Sequence, residues 1–294
     1  MKKITVFSLM VYAYFIVLGC SPKPISNLQF FDFDNQLNWS TTEKPLFPKI
    51  SAHRGGMTYK GYPENALETF KHVYKQTKAI IECDISITAD DVLILMHDKS
   101  LDRTTNTTGK VQNKTWSEIQ HSQLKDHLGN LTPYKIPTLE TVLKWGKAND
   151  VLFTLDVKRG VPFEKVINMV QKFNYFPQAA IITYTLADAQ LVHQLAPDAY
   201  ISISIRNETE LQRVLASDID LKQVIAFTGT SVASPELYQK LNQLKIPTIL
   251  GTLGNLDNQA AAKGDKIYQK YIDMGVNILA TNRPLEASKI VGLD

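Results

Sequence analysis

The chain has 294 residues, of which 44% are hydrophobic and 21% charged, and its formal charge is +3 at pH 7. That length suits one large α/β domain or two small ones. So weak a charge excludes the strongly basic surface that nucleic-acid binding requires, and no nucleic-acid partner is expected.

The chain opens with Lys2-Lys3 and an apolar run from Ile4 to Leu18, short for a membrane span. It then reads Val17-Leu18-Gly19-Cys20, which resembles a bacterial lipobox. Residues 1–19 are therefore expected to be a lipoprotein signal peptide, with Cys20 lipidated. The folded part would be exported and membrane-anchored, facing the periplasm or the cell surface. Removing the two lysines takes the charge from +3 to +1. With Cys20 acylated, Cys83 stands alone and no disulfide forms. Residues 20–48 hold Pro22, Pro24, Pro45 and Pro48 among scattered aromatics, the composition of a part-docked tether.

From residue 49 to 294 short β-branched runs alternate with amphipathic segments. Strands are expected at Ile50–Ala52, Ala79–Ile85, Val151–Val157, Ala179–Thr183, Ala199–Ile203, Gln223–Phe227, Pro247–Leu250 and Asn277–Ala280. Helices are expected at Ala66–Lys78, Leu139–Ala148, Phe163–Phe173, Ala187–Leu195, Glu208–Leu215, Pro235–Leu244, Asn258–Met274 and Pro284–Ile290, with Thr138, Ser234 and Asp257 as caps. Alternation with short connections predicts parallel strands, and eight such units predict a (β/α)8 TIM barrel. Val92–Met96 follows Ile85 too closely for a helix between them, so it reads as a hairpin on the second strand. Lys99–Pro137 is then an insertion on the same rim, with Asp126–Pro133 in loops.

Three apolar runs end in ionisable residues. Ile50-Ser51-Ala52 leads to His53-Arg54-Gly55-Gly56; Ile80-Ile81 leads to Glu82-Cys83-Asp84; Val92-Leu93-Ile94-Leu95-Met96 leads to His97-Asp98. Glu82 and Asp84 are two apart on a strand and face one side, while Cys83 faces the packing side. Asp156 and Lys158 repeat the spacing on the next barrel strand. Each acid alone is as well explained by pairing with Lys158 or Arg54. Three converging carboxylates call for a cation, and all-oxygen ligands favour Ca²⁺ or Mg²⁺. Two histidines beside such a site suit a reaction in which one proton is taken and one given. Arg54 can hold two phosphate oxygens at once; its alternative role is to orient Glu64 or Asp156. His72, His121, His127 and His193 read as surface residues. Neither a Gly-rich phosphate loop nor a G-x-S-x-G elbow occurs.

His53-Arg54-Gly55, Pro63-Glu64-Asn65, Glu82-Cys83-Asp84 and His97-Asp98, followed by Leu101-Asp102-Arg103-Thr104-Thr105, resemble the signature of the glycerophosphodiester phosphodiesterases. The resemblance covers about Ile50 to Leu293 and is densest in its first fifty residues. It implies a (β/α) barrel with a hairpin and small insertion after the second strand, and hydrolysis of a small phosphodiester to glycerol 3-phosphate and an alcohol. It also implies one divalent cation, Ca²⁺ or Mg²⁺. By the resemblance His53 and His97 match the acid–base pair and Glu82 and Asp84 two metal ligands. Asp156 stands where the family has a ligand Glu in Glu-x-Lys. Arg54 and Lys158 match phosphate-facing cations, and Glu64, with Asn65 beside it, matches a position that helps order the metal site. The chain departs at its substrate end: Thr248–Asp257 lacks a Trp that shapes the family's glycerol pocket, and the family's Thr-Asp-x-Pro reads Thr281-Asn282-Arg283-Pro284. Two other readings follow from these changes: a related phosphodiesterase for a phosphoinositol or lysophospholipid head group, and a lipoprotein that binds phosphodiesters without cleaving them.

Overall fold

The computed structural model describes residues 48–292. The expected signal peptide, Cys20 and nearly all of the expected tether lie outside the described residues. Among the described residues no helix is long and apolar enough to cross a membrane.

Eight parallel strands close into a barrel. In chain order they are β1 (Ile50–Ala52), β2 (Ile80–Ile87), β6 (Phe153–Val157), β7 (Ala179–Thr183), β8 (Tyr200–Ser204), β9 (Val224–Phe227), β10 (Thr248–Gly251) and β11 (Ile278–Thr281). Each pairs with the next, and β1 pairs with both β11 and β2, which completes the ring. β3 (Leu93–Leu95) runs antiparallel on β2, with Ile85 opposite Leu95, so the expected hairpin is present.

Alternation explains why these stretches are strands. On β2, Ile81, Cys83 and Ile85 pack in the layer between barrel and helices. Ile80 instead joins Leu152, Ala180, Tyr200, Ile225, Ile249 and Ile278 inside the barrel. Residues two apart share a face, so Glu82 and Asp84 continue the inward row that Ile80 begins. The inward row thus changes from apolar to acidic along a single strand, and that places the site at the C-terminal mouth.

The helices match the expected ones closely: α1 (Leu67–Gln76), α3 (Leu139–Ala148), α4 (Phe163–Lys172), α5 (Leu186–Leu195), α6 (Glu208–Leu215), α7 (Pro235–Gln243) and α10 (Pro284–Val291). Thr138 and Ser234 cap α3 and α7 through their side chains. Two expectations fail between β10 and β11. The single helix Asn258–Met274 is two, α8 (Asn255–Lys263) and α9 (Ile267–Asp273). The break falls at Gly264, whose φ of 101° only glycine adopts without strain. Asp257 is no cap: it is buried within α8 and accepts bonds from Tyr268, Thr281 and the Asn282 amide.

The insertion is more ordered than expected. It carries a short helix, α2 (Trp116–Ile119), and a two-stranded sheet of β4 (Gln123–Lys125) and β5 (Leu131–Lys135), so Pro133 lies in a strand and not a loop. Pro is tolerated there because β5 is an edge strand. The insertion has its own core, in which Leu101, Val111, Ile119, Leu124 and Ile136 pack on Ile94 and Met96 beside the hairpin.

Candidate active site

At the mouth, β2 and β6 are in register with Asp84 opposite Asp156 and Glu82 opposite Thr154. One carboxylate oxygen each from Glu82, Asp84 and Asp156 lies within 4.8 Å of the others, and all three residues are buried. Two cations face them. Lys158 Nζ bridges Asp84 Oδ1 and Asp156 Oδ2, at 2.7 Å to each. Arg54 Nε lies 3.2 Å from Asp84 Oδ2, and its Nη1 donates to Glu64 at 2.9 Å.

The turn after β1 sets Arg54 in this position. Arg54 is left-handed at φ 52°, and Gly55 and Gly56 follow at 82° and 109°. A Cβ on Gly55 would lie 2.4 Å from the Phe70 ring, so only glycine lets α1 approach. The sharp turn aims the Arg54 amide at Glu82, whose Oε2 accepts it at 2.7 Å. Asp84 is held further by Asn65, also left-handed at φ 56°. Its Nδ2 donates to Asp84 Oδ2 at 2.6 Å and its Oδ1 accepts from the Asp84 amide at 3.0 Å. The sequence treats Arg54 as a phosphate cation first; the structure engages it with Glu64 and Asp84, nearer to its alternative role.

Protonation follows from this layout. Burial and the two neighbouring aspartates push the Glu82 carboxyl well above its usual range. Burial also raises Asp156, with Lys158 working against it. Asp84 is equally buried, but Lys158 and Arg54 outweigh that cost and hold its carboxyl low. The buried acids outnumber the cations that face them, and the upward push on Glu82 reflects the cost of charging all three together. Asp156 Oδ1 is buried with no hydrogen-bond partner among the described residues, so its lone pairs are available to a cation. The set fits a hard divalent ion: oxygen ligands only, clustered, with backbone and amide donors fixing each carboxylate.

Both histidines line the same cavity. His53 Nδ1 lies 2.6 Å from Asn282 Oδ1. An amide oxygen only accepts, so Nδ1 carries the proton and Nε2 keeps its lone pair. Burial, and then the Arg54 charge, lower the His53 pKa, so the ring is neutral near pH 7. His97 Nδ1 lies 2.7 Å from Asp98 Oδ1. Each imidazole is thus tied back by its Nδ1.

The structure also engages residues that the sequence reading left without roles. Arg103 donates to both oxygens of Glu64 at 2.8 Å, and to Asp98 from Nε at 2.6 Å and Nη2 at 3.0 Å. It came from the insertion's Leu101–Thr105 motif, which named it but gave no partner. Tyr184, at the end of β7, donates from its hydroxyl to Asp156 Oδ2 at 2.7 Å. The sequence places Asn282 at the substrate end; the structure sets it behind His53. The contact joins residues 229 apart in sequence, so no local pattern could reveal it.

The model of the glycerophosphoryl diester phosphodiesterase family matches residues 53–285. The chain belongs to that family. A glycerophosphodiester phosphodiesterase of Bacillus subtilis is 28% identical over 252 residues, 79% of this chain and 83% of that protein. The chain spans less than two thirds of two other curated relatives, 63% and 65% of their lengths. Among solved structures, a glycerophosphoryl diester phosphodiesterase from Parabacteroides distasonis is 30% identical, with a TM-score of 0.76 over 90% of this chain and 93% of that one. A phosphodiesterase from Oleispira antarctica, solved with the product sn-glycerol-3-phosphate, shares the fold at 16% identity and a TM-score of 0.67, over 83% of this chain and 96% of that one.

Proposed function

We propose that the protein is a phosphoric diester hydrolase that cleaves glycerophosphodiesters to glycerol 3-phosphate and an alcohol. The observation that carries this reading is the meeting, in one cavity, of the buried Glu82–Asp84–Asp156 cluster with two imidazoles tied back by their Nδ1 atoms. Relatives named as glycerophosphodiester phosphodiesterases, and a fold neighbour that holds sn-glycerol-3-phosphate, support it.

Glu82, Asp84 and Asp156 would hold one divalent cation, Ca²⁺ or Mg²⁺. When bound, it would supply positive charge against the phosphodiester and its transition state. Lys158 and Arg54 add fixed charge at the same rim and keep the carboxylates in place. His53, neutral with Nε2 free, takes the proton from the nucleophilic hydroxyl, for which the glycerol 2-hydroxyl is the candidate. His97, backed by Asp98, gives a proton to the departing alcohol oxygen. The P–O bond to the leaving alcohol breaks as the bond to the glycerol oxygen forms. Water then adds to the cyclic phosphate as its P–O bond to the 2-oxygen breaks; His97 takes the water proton and His53 returns its proton to the 2-oxygen, which restores both imidazoles.

The test uses the full chain with glycerophosphoethanolamine and other glycerol phosphodiesters, in Ca²⁺, in Mg²⁺ and in chelator. Glycerol 3-phosphate release should need the ion, and His53→Ala and His97→Ala should each lower kcat by about 10²–10⁴-fold. Ion-independent turnover, or activity that survives both substitutions, contradicts the scheme. We further propose that Cys20 carries the lipid anchor, as the Val17-Leu18-Gly19-Cys20 run suggests. Cys20→Ala should then move the protein from the membrane to the soluble fraction.

A further inference from the structure

Asp156 stands where the resemblance expects a glutamate, so its side chain is one methylene shorter. A shorter acid has less freedom to reach an ion shared with Glu82 and Asp84, and whatever fixes its orientation matters more. Two donors fix it. Lys158 Nζ and the Tyr184 hydroxyl each lie 2.7 Å from Oδ2. Oδ1, buried and without a protein partner among the described residues, is the oxygen left over. The β6–β7 register sets the tyrosine in place. Asp156 pairs with Ile182 on β7. Tyr184 is two residues further on, on the same side of the chain, and both line the cavity.

The two donors are not equivalent. Lys158 is charged and shared: its Nζ also lies 2.7 Å from Asp84 Oδ1, and an arriving cation would repel it. The Tyr184 hydroxyl is neutral, so a cation does not push it away. Among the described residues its one hydrogen bond goes to Asp156. The tyrosine is 61% exposed, so burial contributes little to holding it, and removing the hydroxyl alone should barely touch the core. The bond to Asp156 is thus better explained by what it does for the carboxylate than by what it does for the fold. Partners of this kind orient a metal ligand and raise its affinity for the ion.

Resting on the cation site of the phosphodiesterase reading, we propose that Tyr184 is a positioning residue of that site: its hydroxyl holds Asp156 Oδ2, presents Oδ1 to the ion, and so makes up for the shorter side chain of Asp156.

The test is titration calorimetry of Ca²⁺ and of Mg²⁺ into the full chain, native and Tyr184→Phe. The variant should bind the ion with Kd raised by about 10–100-fold, the usual loss when a partner of a metal ligand is removed. In chelator the two proteins should melt within about 2 °C of each other. Asp156→Glu restores the longer side chain, and in that background Tyr184→Phe should raise Kd by no more than about twofold, because the pair is coupled. An unchanged Kd in Tyr184→Phe overturns the proposal. So does a Tm in chelator well below the native value, which makes the tyrosine structural, and so does an equal loss in both backgrounds, which separates its effect from the reach of Asp156. A native chain that binds neither ion refutes the cation site and the proposal with it. The expected shift in Kd without turnover of any glycerophosphodiester would sink the hydrolase reading and leave the role of Tyr184 standing.

Discussion

Replacing Asn282 by Asp would put a carboxylate where an amide oxygen now accepts the His53 Nδ1 proton at 2.6 Å. The change is nearly isosteric but not electrostatically neutral. Burial and Arg54 hold the His53 pKa below its usual 6.5, so the ring keeps its base form as pH falls through that value. A base with a lowered pKa is lost only at lower pH, and the acid limb of kcat/KM should therefore lie below 6.5 in the native protein. A carboxylate favours imidazolium, so Asn282→Asp should move that limb upward by about one pH unit. An acid limb that stays in place in the variant would show that His53 is not the base. None of this was legible locally. The departure at Thr281-Asn282-Arg283-Pro284 is plain in the sequence, but only the closed barrel, with β11 paired to β1, sets Asn282 behind His53. The clustered acids were legible for the opposite reason. Glu82, Asp84 and Asp156 sit on strands whose period of two declares their facing, and parallel pairing of β2 and β6 needed only the order of elements.

At the scale of elements, the insertion holds the site through Arg103. The hydrophobic contacts of Leu101, Ile119 and Leu124 fix it to the hairpin. On the same rim Asp126 accepts the Gly61 amide at 2.9 Å, which pins the loop before α1. Arg103 projects from this platform to join Glu64, on the α1 side, with Asp98, on the hairpin side. These pairings describe a brace that joins the Glu64 segment to the Asp98 segment beside His97. Arg103 is half-exposed, so solvent screens its ion pairs and the stability at stake is modest. Arg103→Ala should lower Tm by only a few degrees, on the scale of about 2–4 °C per kcal/mol for a domain this size. It should lower kcat more, by roughly tenfold, because Asp98 loses the group that orients it against His97. Arg103→Lys should recover part of the rate, since a lysine can reach one carboxylate but cannot fork between two. A loss confined to Tm, with kcat unchanged, would make Arg103 a packing residue. The sequence offered Arg103 within a recognisable run, but its partners lie 39 and 5 residues away, and only the former reveals the brace.

For the whole molecule, the acid cluster makes stability depend on pH and on the ion together. Glu82 is pushed well above its usual range by burial and by Asp84 and Asp156. In the chelated protein the folded state therefore holds a proton that the unfolded chain gives up near pH 4.5. Between that value and the raised one the native state binds more protons, so the Glu82 contribution to stability falls as pH rises. Asp84 works in the opposite direction, but its window lies below 3.8, the ordinary value from which it is lowered. Asp156, raised by burial, works in the same direction as Glu82, so above pH 4.5 the raised acids govern the cluster. A divalent ion held by these acids would compete with that proton and, binding the native state alone, would stabilise it by about 2.7 kcal/mol at a hundredfold excess over Kd. The Tm gained on adding Ca²⁺ or Mg²⁺ should therefore grow from pH 5 to pH 7, while chelated protein shows no matching rise. Glu82→Gln removes the titrating acid and one ligand, so it should flatten the pH dependence of the chelated protein and lower the ion's effect together. Calorimetry across pH, with and without ion, checks both at once. An ion-induced gain that is independent of pH would mean that the ion binds elsewhere, and it would separate the barrel-mouth acids from metal binding altogether.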